Sequence, residues 1–298
     1  MSPYLYMIFS SVFFAIMGAI VKYLDGIPFY ELVLFRSLTI LALCLPVIAR
    51  LKADCLGKKE NRKILLLRGI FGTAGLTLYF WTLQKLEFGA AVTIQYTSPV
   101  FTILIGSYLY KHDRSLSTLF WALVALFGVS WIYQVDAFSA DHLLPMGLGL
   151  LAAFFSGCAY TCISALGKKE NSQVILMYFP LITIPATLIP ASLNFVVPDQ
   201  KELGLILAMG LSTYFAQYCL TKAYQLSKAS KIAVFGNLNV IAALIVGTVI
   251  FNEALTSNKI FGAVLVGVSV YFVQKKTRSS QTSQSIKQTT LHTSPNKS

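Results

Sequence analysis

Charge is scarce in this 298-residue sequence: only 12% of its residues are charged, about half the roughly 25% of an ordinary soluble domain. With 56% apolar residues and a mean hydropathy of +0.67, that scarcity excludes a soluble enzyme. Histidine is rarer still. His112, His142 and His292 all fall outside the long apolar runs, and every Asp and Glu sits between runs or at a run's end. A buried carboxylate or histidine relay, common in proton-driven carriers, is therefore not visible. There is no GxxxxGK[ST] phosphate loop and no catalytic or metal-ligating set at one depth, so ATP-driven transport by this chain, catalysis and a metal or other cofactor find no support. The five cysteines (Cys44, Cys55, Cys158, Cys162, Cys219) have neither an even count nor CxxC spacing, which argues against a disulfide framework or a zinc site. Cys158 and Cys162, four apart in one apolar run, read as small buried thiols. A net charge of +12 and a pI near 9.5 would suit nucleic acid if the bases gathered on one face or tail. Here they are scattered singly between apolar runs.

Those runs fill the sequence. A bilayer core about 30 Å thick takes about 20 helical residues to cross, and ten runs approach that length: residues 4–22, 30–49, 64–84, 88–110, 116–135, 143–166, 173–193, 203–225, 229–251 and 258–274. Short polar turns such as Asp25-Gly26-Ile27-Pro28 and Gly167-Lys168-Lys169-Glu170-Asn171 join them. They leave no room for a soluble domain. Met1-Ser2-Pro3 carries no basic stretch and no small-residue cleavage motif follows, so a cleavable signal peptide is not expected. The expected fold is an all-α integral membrane protein with ten transmembrane helices.

Lys and Arg are retained on the cytoplasmic side of a membrane protein. With the N-terminus inside, seventeen of them fall in inner loops or the tail, and three, Lys85, Lys201 and Lys259, fall outside. Both termini are therefore expected in the cytoplasm, and this bias absorbs the basic pI without nucleic acid. After residue 274 the composition turns to Ser, Thr, Gln and Lys, which predicts a disordered tail over 275–298. Its Lys275-Lys276-Thr277-Arg278 start reads as an anchor on anionic lipid.

The second half of the chain echoes the first at an offset of 139 residues. Tyr79-Phe80-Trp81-Thr82 corresponds to Tyr218-Cys219-Leu220-Thr221, Ala90 to Ala229, Leu116 to Leu255, and Gly128-Val129-Ser130 to Gly267-Val268-Ser269. Each half holds five runs, an odd number, so the second copy enters the membrane with opposite polarity. Residues 1–139 and 140–274 thus read as two inverted five-helix repeats, a plan that places substrate near the midplane between the halves. The chain also resembles the EamA-type carriers of the drug/metabolite transporter superfamily over nearly all of residues 4–274. Phe35-Arg36, Gly89-Ala90-Ala91 with Ser98-Pro99, and Phe251-Asn252-Glu253-Ala254-Leu255 leading to Gly262 and Gly267 carry that resemblance. It implies export or import of a small metabolite, without fixing which. Leu238 stands where a proline would match Pro99, so the two halves need not hinge alike.

Polar residues at membrane depth are costly unless they face the bundle interior or a wet pathway. The fourth run places Thr93, Gln95, Tyr96, Thr97 and Ser98 near its middle, just before Pro99, and the ninth answers with Asn237 and Asn239. Ser98 and Asn237 are equivalent at the repeat offset and should approach the pseudo-twofold axis. Pro99 offers no N–H to the Gln95 carbonyl, which becomes a candidate substrate ligand. Helix-to-helix hydrogen bonding is the competing role for this cluster. On the third run Tyr79 and Thr82 share a face, mirrored on the eighth by Tyr218 and Thr221, with Tyr214 and Gln217 within a turn. These aromatics suit either a pocket wall or packing, whereas Trp81, near the outer end, reads as an interfacial anchor. Among basic residues inside the runs, Lys22, Arg68 and Lys222 lie near the boundaries, where snorkelling suffices for each. Arg36 is expected to pair with Glu31 or Asp25 or with backbone carbonyls of a neighbouring helix, with anion binding as its alternative. Lys222, accompanied by Thr221 and Gln225, is the candidate partner for an anionic substrate group. Ser10, Ser11, Ser156, Tyr160 and Thr161 on the first and sixth runs should complete the site.

The resulting expectation is a carrier, not an enzyme: a facilitator or exchanger of a small organic metabolite, working by alternating access in a cell (inner) membrane. Its expected partners are the lipid bilayer and a small-molecule solute, with no nucleic acid, no cofactor and a homodimer left open. A proton-coupled drug or amino-acid efflux carrier is the alternative. An intramembrane lipid-modifying enzyme would need an acid/base or metal set at one depth, and a passive channel a continuous polar stripe.

Overall fold

In the computed structural model the described residues are 1–24, 26–52, 54–86, 94–109, 116–133, 143–193, 195–251 and 255–273. They form helices and short connections, with no strand among them. In chain order these are α1 (Pro3–Tyr23), α2 (Phe29–Arg50), α3 (Arg62–Lys85), α4 (Ser98–Leu109), α5 (Leu116–Tyr133), α6 (Leu143–Leu166), α7 (Ser172–Leu193), α8 (Gln200–Leu226), α9 (Leu238–Phe251) and α10 (Ser257–Val273). Helix starts follow local chemistry. Ser2 accepts the Leu5 N–H at the head of α1, with Pro3 in the first turn. Asp199 and Glu202 form a reciprocal capping box on α8.

Six helical stretches are long and apolar enough to cross a membrane, spanning Pro3–Val21, Phe29–Arg50, Lys59–Thr82, Leu143–Lys169, Ser172–Leu193 and Gln200–Leu226. Large apolar side chains also cover the outside: Phe9, Leu38, Leu66, Phe120, Leu207 and Val264 are all exposed. In water such a surface drives aggregation. Against lipid it is the expected exterior. The predicted tail at 275–298, and the side chain of Lys22, lie outside the described residues.

The packing follows a pattern of exchange. α1 lies along α8 as α3 lies along α6, α1 against α9 as α6 against α4, and α2 against α8 as α7 against α3. Replacing each helix by the one five places later converts one set of pairs into the other. α2 and α7 pack on each other.

The fourth run is not one helix, which corrects the expectation of a continuous span over 88–110. Ile94 and Gln95 are helical, Tyr96 and Thr97 turn, and α4 begins only at Ser98. The Ile94 carbonyl accepts from both the Thr97 N–H (3.0 Å) and the Thr97 hydroxyl (2.7 Å), and the Thr97 carbonyl receives Val100 (2.9 Å). Pro99 thus sits in a first turn, where its missing N–H costs least. The ninth run breaks within one residue of the equivalent place. One helical turn, Ala229–Ile232, leads into a 3₁₀ segment, Ala233–Asn237, and α9 starts at Leu238. The halves therefore break alike although only one has the proline. Cys158 and Cys162 are free thiols, half-buried rather than buried as their apolar run suggests.

Candidate functional site

The two breaks are in direct contact. Asn239, one residue into α9, donates from Nδ2 to the Tyr96 hydroxyl in the turn before α4. Beside them Gln95 donates from Nε2 to Ser156 Oγ of α6 at 3.1 Å. Ser98 is buried at the head of α4, and its carbonyl accepts the Thr102 hydroxyl at 2.8 Å. Asn237 ends the 3₁₀ segment, which packs against α1, α4 and α5, and it is 0% exposed.

Buried polar groups in folded proteins almost always have partners. Here several do not. Gln95 Oε1, Asn239 Oδ1 and both amide atoms of Asn237 are buried without a hydrogen-bond partner among the described residues. Leaving such a group unsatisfied costs about 1–3 kcal/mol, and four of them lie around one pair of helix breaks.

On α8, Tyr214, Gln217, Tyr218, Thr221 and Lys222 follow the i, i+3, i+4, i+7, i+8 spacing of a single helical face. Gln217 Oε1 and Thr221 Oγ1 on it are likewise buried and unpartnered. The Tyr214 and Tyr218 rings stack at 6.5 Å, and Lys222 Nζ lies 5.7 Å over the Tyr218 ring. α8 packs on the helical turn Ala229–Ile232 that leads to Asn237. These five residues thus lie along one face of α8, two of them with buried, unpartnered polar atoms.

Other candidates are placed elsewhere. Thr82 is fully buried, its hydroxyl donates to the Leu78 carbonyl at 2.8 Å, and its methyl lies against Gly149 of α6. It serves α3–α6 packing. Tyr79 is half-buried, edge-on to Phe80 at 6.0 Å. Tyr214 is tied by its hydroxyl to the Gln173 amide, 2.9 Å from Nε2 and 3.2 Å from Oε1, and Cys44 Sγ donates to the same Oε1. That knot joins α2, α7 and α8, and nothing in the sequence marked Gln173. Ser10 bonds the Ala216 carbonyl, while Ser11 and Thr161 bond carbonyls of their own helices. Gln225 does not accompany Lys222; it donates to the Gly167 and Glu170 carbonyls and accepts from the Ser172 hydroxyl.

The arginines correct the sequence reading most. Arg68 does not snorkel: it is 3% exposed. Arg36 does not pair with Glu31, whose Oε1 accepts the Val196 N–H at 2.9 Å; Asp25 lies outside the described residues. Both guanidinium groups instead lie over one ring, Phe179 of α7, at 5.4 Å for Arg36 and 5.8 Å for Arg68. Glu31 itself is fully buried in the first turn of α2, with Oε2 unpartnered.

A lipid-facing helical bundle whose broken helices meet at a polar, unsatisfied centre is the architecture of a membrane transporter. Known proteins agree: the EamA-like transporter family matches the sequence twice, over residues 1–134 and 143–274, and the chain belongs to that family. Relatives include the pseudopaline exporter CntI of Pseudomonas aeruginosa, 29% identical over 88% of this chain and 92% of its own. The riboflavin transporter of Vibrio cholerae is 24% identical over 95% and 96% of the two chains. The S-adenosylmethionine uptake transporter of Rickettsia prowazekii is 22% identical over 85% and 86%. A crystal structure 14% identical in sequence superposes with a TM-score of 0.78, covering 90% of this chain and 94% of the other, a likeness of fold alone. The protein is a multi-pass membrane transporter, not an enzyme.

Proposed function

We propose that this transporter moves a small organic metabolite by alternating access, as a facilitator or exchanger, with substrate held where the two broken helices meet. The supporting observation is the set of buried, unpartnered polar atoms on Gln95, Asn237 and Asn239, beside Ser98 and Tyr96. Gln217, Tyr218, Thr221 and Lys222 extend the same site along α8. The repeated family match, the exchange of helix pairs and the breaks within one residue of equivalent places support two inverted five-helix repeats, residues 1–139 and 140–274, making ten spans. In this reading both termini are cytoplasmic and the membrane is a cell (inner) membrane. The relatives named for pseudopaline, riboflavin and S-adenosylmethionine set the range of solutes to try first. A second reading, proton-coupled efflux, is favoured by one observation, the buried Glu31 carboxylate.

The test is uptake and efflux in proteoliposomes against a panel of radiolabelled solutes, including riboflavin, S-adenosylmethionine and amino acids. Saturable flux of at least one solute, absent from protein-free liposomes, is the expected result. Flux that never saturates would indicate a channel instead.

A further inference from the structure

We propose that Arg36 and Arg68 together form an anion site inside the bundle that receives a carboxylate group of the transported solute. This rests on the transporter reading above and adds the chemical class of its substrate.

The two residues come from different helices, α2 and α3, and both are buried, at 2% and 3% exposure. Arg36 Nε and Nη1 and Arg68 Nε have no hydrogen-bond partner among the described residues. The charged or titratable neighbours that act on Arg36 are Tyr160 and Arg68, and on Arg68 they are Tyr160 and Cys162. Among the described residues, no carboxylate forms an ion pair with either arginine. A buried arginine that serves only stability is matched by an acid or by carbonyl acceptors, because an uncompensated buried charge is strongly destabilising. Here two like charges are instead brought over the same ring, Phe179. The ring face attracts a cation, yet it accepts none of the N–H bonds that a planar guanidinium offers.

Room is also provided. A Cβ built on Gly72 would collide with Arg68 Nη1 and lie 2.9 Å from Phe179 Cδ2, so the glycine lets the guanidinium and ring sit where they do. Tyr160, in the field of both arginines, stacks on Tyr224 at 5.0 Å and so has its ring orientation fixed. Two forks with free N–H groups, held by aromatics, match a carboxylate's two oxygens and four lone-pair sites. Depth adds to this, since an ionisable residue inside a membrane bundle is first of all a mark of the solute path.

The test uses the purified full chain in detergent micelles and follows its thermal unfolding midpoint. The probes are acetate, succinate and citrate, with neutral succinamide, chloride and inorganic phosphate at matched ionic strength. A ligand that binds only the folded state raises the midpoint. We expect at least one carboxylate to do so by several degrees, while succinamide, chloride and phosphate do not. Arg36→Gln and Arg68→Gln should each weaken the apparent carboxylate affinity at least tenfold. Without probe, their midpoints should equal or exceed that of the wild-type chain, because a buried unpaired charge is gone. A purely structural arginine would give a lower midpoint. Arg36→Lys and Arg68→Lys keep the charge if the Gln variants do not fold, and they should still lose most of the shift because the bidentate geometry is lost. The assignment is overturned if no carboxylate shifts the wild-type chain, if chloride or phosphate shifts it equally, or if the shift survives both substitutions. Carrier flux of a neutral solute without a carboxylate shift would sink this site and leave the transporter reading standing. A carboxylate shift without flux of any solute would do the reverse.

Discussion

Asn239 of α9 donates a hydrogen bond to the hydroxyl of Tyr96 in the turn before α4, so a side-chain hydrogen bond joins the breaks in the two helices. The two breaks fall within one residue of the same place in the 139-residue offset, one helix starting at Ser98 and the other at Leu238 after Asn237. The residues around that contact give the first prediction.

Asn237→Ala should weaken solute binding more than Ser98→Ala. An amide offers donor and acceptor, and both amide atoms of Asn237 are buried and unpartnered. A lost hydrogen bond is worth about 0.5–1.5 kcal/mol net, which corresponds to roughly a 2-fold to 13-fold loss of apparent affinity for Asn237→Ala. Its unfolding midpoint should hold or rise, because two orphaned atoms are removed. Concentration-dependent flux in liposomes, with melting curves alongside, measures both.

Transport should persist when an uncoupler collapses the proton gradient, provided a solute gradient remains. Glu31→Gln should leave it unchanged, since the amide oxygen still accepts the Val196 N–H while the titratable proton is gone. Accumulation driven by an imposed proton gradient and abolished by Glu31→Gln would instead establish the proton-coupled reading.

Glu170 ties two segments together. Its Oε2 accepts the Lys58 N–H and Asn61 Nδ2, both at 3.0 Å, and its Oε1 accepts the Asn171 N–H at 3.2 Å. Hydrogen bonds to a charged acceptor are worth about 1.5–3 kcal/mol each when well buried. Glu170→Ala should lower the melting midpoint by several degrees and speed protease cleavage near Lys58. If neither changes, the contact does not hold these segments closed.

α5 and α10 approach through glycine. A Cβ on Gly128 would lie 2.8 Å from the Gly262 carbonyl, and one on Gly262 would strike the Gly128 carbonyl. Backbone cannot give way as a side chain can. Gly262→Ala should therefore destabilise by about 1–3 kcal/mol, the usual cost of overpacking, read as a lower melting midpoint, whereas Gly147→Ala, with open space around it, should not.

Single cysteines at Lys59 and Lys201, both exposed, should label from opposite sides of the membrane in a cysteine-free background. The lysine and arginine asymmetry places one inside and the other outside. Labelling of both from the same side would break the ten-span arrangement.

Much of the bundle was legible because hydrophobic run length and turn chemistry are local. The runs at 4–22, 30–49, 143–166 and 173–193 reappear as α1, α2, α6 and α7 within a residue or so at each end. The polar residues Gln95, Asn237 and Asn239 stood out in the sequence because polar side chains inside apolar runs are costly in a membrane, and the structure buries their unpartnered amide atoms. The break between Thr97 and Ser98 was not legible, because an X-Pro step reads equally as a kink inside a helix or as a helix start.

The sequence by itself determined that this chain lives in a membrane, repeats at an offset of 139 residues and keeps its polar side chains near two equivalent points, since composition, period and hydropathy are properties of the chain alone. Only the tertiary structure decided which of those side chains meet. Thr82 turned to face Gly149, Gln173 took hold of Tyr214, and Arg36 and Arg68, 32 positions apart, came to lie over one phenylalanine from a third helix. The physical reason is that a side chain's partner is set by which helix packs beside it and at what rotation. Hydropathy along a run that is apolar on nearly every side carries no record of that rotation.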